Sequence, residues 1–218
     1  MRINQFVAQA TGLGRRKVDK LIIDGQITIN DSLAKLGQQV SSEDIIKYDL
    51  RVIELPSRYT TLLVNKPIGY VCSKDGQGSR TIYDLVPSEY QKLKSIGRLD
   101  KDSSGLIVLT NNGGLTQKLS HPSFNKQKIY EVKLSRELTK QELVKLETGQ
   151  IRLDKKPSVL KVETLGSSLY KVTILEGRNR QIRRTLEKLS VLVVDLKRVQ
   201  FGPYKFNDLK NQTWIQIS

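Results

Sequence analysis

At 218 residues the chain has room for one or two domains, and 38% hydrophobic with 27% charged residues excludes a disordered tail. Thirty-seven basic side chains against 22 acidic ones leave a net charge of +15, which favours a polyanionic partner without specifying a fold. The single cysteine (Cys72) and single histidine (His121) exclude an intramolecular disulfide and a Cys/His zinc site, and they argue against a Cys–His nucleophilic pair.

No apolar run reaches the ~18 residues of a membrane span, and the amphipathic N-terminus does not read as a signal peptide. A cytoplasmic protein is the expectation. The charge is uneven. Residues 1–60 carry 9 basic and 7 acidic side chains, while residues 61–218 carry 28 and 15. Most of the attraction for phosphate therefore lies in the longer segment.

Ile3, Phe6, Val7 and Ala10 have the spacing of one helix face. Gly12 and Gly14 break that pattern. A second helix is predicted from about Arg15 to Asp24, with Val18, Leu21 and Ile22 inward and Gly25 closing it. Ile27 and Ile29 then alternate as a strand, and Asn30-Asp31 reads as a turn. Arg15, Arg16 and Lys17 open the second helix, with Lys20 one turn after Arg16. Cations there reinforce the positive end of the helix dipole, at a cost to folding, and suit a phosphate site. A solvated basic face would look the same.

The stretches "RINQF" and "GRRKVDKLIIDGQITIN" resemble the RNA-binding module of the ribosomal-protein-S-four type, over about residues 1–48. Two positions depart from that family. Asn4 stands where an acid is common, and Gly14 where Ser is common; glycine replaces serine at a helix N-cap at little cost. Residues 49–60, "DLRVIELPSRYT", read as a linker interrupted by Pro56 and Ser57. The segment 61–218 is expected to form a second domain.

In that segment Thr61–Asn65 is a short strand running into "NKPIG", and Tyr70–Cys72 is expected to be extended. Gly97 and Gly105 bracket a polar loop that carries Asp100 between Arg98 and Lys101. Leu106–Leu109 is an apolar strand, and Asn112-Gly113-Gly114 reads as a turn. A loop aspartate ordinarily stabilises a turn, yet loops on rigid scaffolds also carry function more often than their share. "KIYEVKL" alternates, which places Tyr130, Val132 and Leu134 on one face. Tyr130 reads either as a core tyrosine or as a ring that stacks on a base. Tyr170–Leu175 is a strand, Gly177 a turn, and the following helix faces Ile182, Leu186 and Leu189 inward. Arg178, Arg180, Arg183 and Arg184 cluster there. Arg183 lies beside the apolar stripe, so it could be partly buried and would then need a carboxylate partner.

Taken together, "NKPIGYVCS", "GRLDKDSSGLIVLTNNG", "KIYEV" and "EGRNRQIRR" resemble the RsuA/RluB group of pseudouridine synthases, over about residues 60–218. The resemblance implies an α+β catalytic domain with a mixed, largely antiparallel sheet and flanking helices. It implies isomerisation of uridine to pseudouridine within ribosomal RNA, without a cofactor or metal. Asp100 would be the catalytic carboxylate, acting on the sugar or base as a nucleophile or taking a proton from the ribose; both roles stay open. Arg183 would pair with Asp100, and Tyr130 would stack on the flipped uracil and assist loss of its carbon-5 proton. Arg98 would hold the RNA backbone. Arg178, Arg180 and Lys128 are weaker candidates for phosphate contacts, and Lys66 reads as structural. Thr185 stands where the family often has Met.

"LKRVQFGPYKFNDL" is closer to the large-subunit (RluB-like) branch, which points to 23S rRNA, although "YVCSKD" also has the small-subunit (RsuA-like) flavour of a 16S enzyme. A monomer is expected. The competing class is a non-catalytic RNA-binding ribosome-assembly factor, for which the basic charge and the N-terminal module would serve equally well.

Overall fold

The computed structural model describes residues 1–121 and 126–217. The chain divides into two compact units, one of Met1–Thr60 with Thr110–Gly113, the other of Thr61–Leu109 with Gly114–Ser218.

In the first unit α1 (Ile3–Thr11) and α2 (Arg15–Ile23) precede β1 (Ile27–Ile29), β2 (Ser32–Leu33), β3 (Ile46–Tyr48) and β4 (Arg51–Val52). The strands form a sheet in the order β2-β1-β3-β4. Gly12 ends α1 in the left-handed region at φ 75°, which glycine reaches without the Cβ penalty. Asn30 and Asp31 both have positive φ (49° and 64°), the geometry that matches a two-residue hairpin turn to strand twist. Ile3, Val7, Val18, Leu21, Ile22, Ile27 and Ile29 bury together as the core, with Phe6 packed partly against it. The span expected to be pure linker begins instead with a hairpin arm, because β4 pairs with β3.

The second unit begins with β5 (Thr61–Lys66), β6 (Lys94–Ile96) and β7 (Ser104–Thr110), followed by α3 (Gly113–Ser120) and β8 (Lys128–Leu134). Then come α4 (Lys140–Glu147), the hairpin β9 (Arg152–Leu153) and β10 (Lys156–Pro157), β11 (Lys161–Gly166), β12 (Leu169–Ile174) and α5 (Gln181–Glu187). The chain finishes with β13 (Val193–Phe201), β14 (Tyr204–Lys205) and β15 (Trp214–Ile217). Seven strands line up as β11-β12-β8-β13-β7-β5-β15, with β14 on β13 and β6 on β7. β13 runs parallel to β7 and antiparallel to β8, so the sheet is mixed and the unit is α+β.

The central strands are buried on both faces. Leu62, Val64, Ile107 and Leu109 enter one core; Leu63, Leu106 and Val108 enter the other. That two-sided burial is why "TLLV" and "GLIVL" read as continuous apolar runs. β8 alternates as expected, with Tyr130, Val132 and Leu134 buried. Two local expectations fail. Tyr70–Cys72 forms no strand, only a bridge from Val71 to Thr81. Asn112-Gly113-Gly114 opens α3 instead of a simple turn, because Leu119, with Leu115 one turn earlier, packs onto the second core.

Gly105 sets how closely β13 can approach β7. It pairs with Arg198 across the parallel ladder. Its φ is 104°, and a Cβ there would lie 2.3 Å from the Arg198 carbonyl oxygen and 2.6 Å from its nitrogen. Both atoms are backbone and cannot swing away. Gly105→Ala is therefore expected to destabilise the second unit by about 3 kcal/mol, from left-handed strain plus displacement of β13. Urea unfolding followed by the single tryptophan, Trp214, checks this.

Candidate active site

Asp100 sits in the loop between β6 and β7, and backbone contacts hold that loop from several sides. The Ser103 amide donates to the Asp100 carbonyl at 3.1 Å, and the Gly69 amide donates to the Lys101 carbonyl at 2.8 Å. The Cys72 thiol donates to the Leu99 carbonyl at 3.4 Å and accepts from the Leu99 amide at 3.3 Å. Lys66 is fully buried at the end of β5, and its ammonium donates to the Pro67 and Ser103 carbonyls. Burial pushes the Lys66 ammonium below its ordinary value; the fields of Cys72, Asp102 and Asp100 oppose that fall. Lys66 is thus a structural tether, as its sequence context suggested.

The loop forms one wall of a cavity of about 380 Å³ that is also lined by Arg98, Lys128, Tyr130, Glu176, Arg180 and Arg198. Asp100 and Tyr130 share this space. The Asp100 side chain is 36% exposed, and its nearest cation is Arg180, Nη1 to Oδ2 at 3.7 Å. Tyr130 is buried on β8 and forms part of the lining. Arg98 is exposed and has no ion pair among the described residues.

The arginine cluster differs from expectation. Arg183 does not pair with Asp100. Its Nη1 donates to the Val193 carbonyl at 3.0 Å, its Nη2 to the Asp102 carbonyl at 2.8 Å, and its Nε lies 3.3 Å from the Asp102 carboxylate. The partly buried arginine does have a carboxylate, but it is Asp102, because α5 points that side chain toward the far end of the loop. Arg180, expected on RNA, lies at the cavity wall and grips Asp102 through a two-pronged fork with both distances 3.0 Å. This fork holds the Asp102 carboxyl below the ordinary carboxylate range. Arg178 also lines the cavity. Its guanidinium donates to the Leu153 and Pro157 carbonyls at 2.9 and 2.5 Å and pairs with Glu176 at 2.7 Å, so it ties the β9–β10 hairpin to the cavity wall. Lys128 is half-buried along the cavity, and burial pushes its ammonium down, with Arg198 adding to the fall.

Thr185 has a partner that its sequence position did not disclose. Its hydroxyl lies 2.7 Å from that of Ser158, and both residues are fully buried. Gln181 joins them through Ser158 and reaches Glu176 at 2.7 Å. The polar pair satisfies itself where a methionine would fill space.

Arg198 was missed. It is 1% exposed on β13, donates from Nε to the Leu106 carbonyl at 2.8 Å, and stacks 4.8 Å from the Phe201 ring centre. Its Nη2 and the Ser103 hydroxyl are buried without a hydrogen-bond partner among the described residues, and both residues line the cavity. Such orphans in a polar cleft suit a ligand's carbonyl or anionic groups. The available signal was Arg198 in register with Leu196 on an alternating strand. In the first unit Arg15, Arg16, Lys17 and Lys20 are all exposed. Asn4 accepts from Arg15 at 3.1 Å and donates to Asp19 at 2.7 Å. No group of three or more potential metal ligands occurs among the described residues, and no described helix is long and apolar enough to cross a membrane.

Comparison with known proteins gives a consistent result. The RNA pseudouridylate synthase family profile matches residues 60–188, and the S4 domain profile matches residues 1–46. The chain is 36% identical to ribosomal large subunit pseudouridine synthase B of Pseudomonas aeruginosa, over 91% of this chain and 55% of that one, so it spans little more than half that relative's length. It is 35% identical to the protein of the same name in Bacillus subtilis, over 92% of this chain and 85% of that one. It is 31% identical to the dual-specificity RNA pseudouridine synthase RluF of Escherichia coli, over 100% and 76%. A crystal structure of a pseudouridylate synthase superposes with a TM-score of 0.72 at 29% identity, covering 100% of this chain and 96% of that one.

Arg183 ties β13 to the Asp100 loop, so truncating it leaves two carbonyls without their donor. Arg183→Ala is expected to lower stability by about 2 kcal/mol, read as an earlier urea midpoint with an unchanged slope.

Proposed function

The chain belongs to the RNA pseudouridylate synthase family, and on that premise we propose that it converts a uridine of 23S ribosomal RNA to pseudouridine. The observation that carries this reading is the meeting of Asp100 and Tyr130 in one cavity with Arg98 free at its wall. The volume lies within the range of about 300–1,000 Å³ that suits small-molecule groups. The names of the Pseudomonas and Bacillus relatives support the large ribosomal subunit as the target.

The uridine leaves its stack, at a cost of a few kcal/mol, and enters the cavity. Asp100 acts at the sugar or base while the bond from ribose to uracil nitrogen 1 breaks. The base turns over, carbon 5 joins the ribose, the carbon-5 proton leaves, and nitrogen 1 gains a proton. Atoms and charge balance with nothing added. Tyr130 stacks on the uracil and assists loss of the carbon-5 proton. Arg180 is the cation beside Asp100, at 3.7 Å, the place first given to Arg183. Arg198 offers its unpaired Nη2 to the base or sugar, and Arg98 takes a backbone phosphate over the vacated stack. Residues 1–48, with Arg15, Arg16, Lys17 and Lys20 exposed, add RNA affinity without chemistry, and residues 61–218 form the catalytic domain. A monomer acting on ribosomal RNA in the cytoplasm completes the reading.

The test is a map of pseudouridines in ribosomal RNA from a strain lacking this gene, by carbodiimide modification and primer extension. The expected result is loss of one 23S site with 16S unchanged, restored by the wild-type gene. Loss of a 16S site alone would move the target to the small subunit. Intact 23S and 16S maps would overturn the assignment and favour a ribosome-assembly factor that binds without chemistry.

A further inference from the structure

Two carboxylates lie two residues apart on the catalytic loop, and the arginines treat them differently. Asp102 receives the whole fork of Arg180, at 3.0 Å on each oxygen. Asp100 receives only the edge of the same guanidinium, at 3.7 Å. A direct charge-assisted pair closes to about 2.8 Å, so Arg180 stands back from Asp100. Its backbone is in the left-handed region (φ 46°, ψ 35°), one residue before α5. Helix geometry therefore does not set the direction of its side chain, and the fork with Asp102 does. Asp102 is in turn held by Arg183, which binds its carbonyl and carboxylate while anchored on the Val193 carbonyl of β13.

We propose that Asp102 is a positioning residue for the isomerisation: by taking the fork of Arg180 it keeps that guanidinium beside Asp100 yet far enough away to leave both Asp100 oxygens open to the nucleoside. This rests on the synthase reading above. The competing demand is plain. A carboxylate gripped by a guanidinium fork stays ionised, but its lone pairs point at the cation and it is a poor nucleophile or base. Without Asp102, Arg180 has Asp100 as its nearest remaining acid and closes on it. The order of contacts is then β13, Arg183, Asp102, Arg180, Asp100, with the reacting group at the loose end.

The experiment uses the full chain with Asp102→Asn, Asp102→Glu, Asp100→Asn and the double variant Asp102→Asn/Asp100→Asn. Tritium release from a 23S transcript labelled at uracil carbon 5 gives kcat and KM. Nitrogen-15 NMR of the arginine side chains, with Arg180 assigned through Arg180→Lys, reports whether its Nη groups are locked in a fork. Asp102→Asn is expected to lower kcat by roughly tenfold to a hundredfold with KM nearly unchanged, the scale of a misplacement near 1 Å. Asp102→Glu, which keeps the charge, is expected to recover part of that loss. In the wild type the Arg180 fork signal should survive Asp100→Asn. In Asp102→Asn it should persist and then vanish in the double variant, because the fork has moved to Asp100. Full activity of Asp102→Asn, or an Arg180 signal in that variant that ignores the charge of Asp100, would overturn the proposal. No tritium release by the wild type from a 23S or a 16S transcript, with the fork signals as expected, would instead overturn the synthase reading.

Discussion

The proposed chemistry asks for a carboxylate with a cation nearby and its oxygens uncrowded. A guanidinium in direct contact would occupy the oxygens that must react. Arg180 stands 3.7 Å from Asp100, short of that contact. The loop is fixed in place, because Cys72, Gly69 and Lys66 hold its backbone and a bond from Ser103 to Asp100 closes it. Lys66 shows how tightly this is built. A fully buried ammonium ordinarily needs an acid in contact; here it takes carbonyl oxygens, and the two loop aspartates act on it through their fields.

The sheet places the other half of the cavity. β13 reaches β7 only because Gly105 has no Cβ, and that approach brings Arg198 into the buried centre. Its Nε is satisfied by Leu106 and its face by Phe201, which leaves one nitrogen for a ligand. β8, on the other side of β13, delivers Tyr130 opposite Arg198 in the register. Strands β8 and β13, the Asp100 loop and the connection from β12 to α5 thus supply the groups around the cavity, and precise placement on strands is easier to maintain than placement on loops alone.

Much of this was legible in the chain itself. The N-terminal helices, β1, β7, β8 and β12 follow from periodicity, because each has one consistent apolar pattern. Asp100 and Tyr130 were legible through motif context. α4 escaped notice although Thr139 and Glu142 form a capping box, a local signal that was there to read. The arginines could not be apportioned from sequence. Four guanidinium groups within seven residues look alike, and which one meets Asp100, Asp102 or the Leu153 and Pro157 carbonyls depends on how α5 and the β9–β10 hairpin meet the loop. Asp102 reads as one more turn-forming aspartate, since its role exists only once Arg180 and Arg183 converge on it. Arg198 had no motif to mark it; its burial follows from β13 lying between β8 and β7.

The most direct test replaces one oxygen with nitrogen. Asp100→Asn keeps the size and loop contacts of the residue and removes its charge. The full chain and this variant are compared for tritium release from uracil-labelled 23S transcript and for binding of the same RNA. Release is expected to fall to background while affinity stays within about threefold of the wild type, since phosphate contacts elsewhere carry binding. Release from the variant at the wild-type rate would contradict the central role given to this carboxylate.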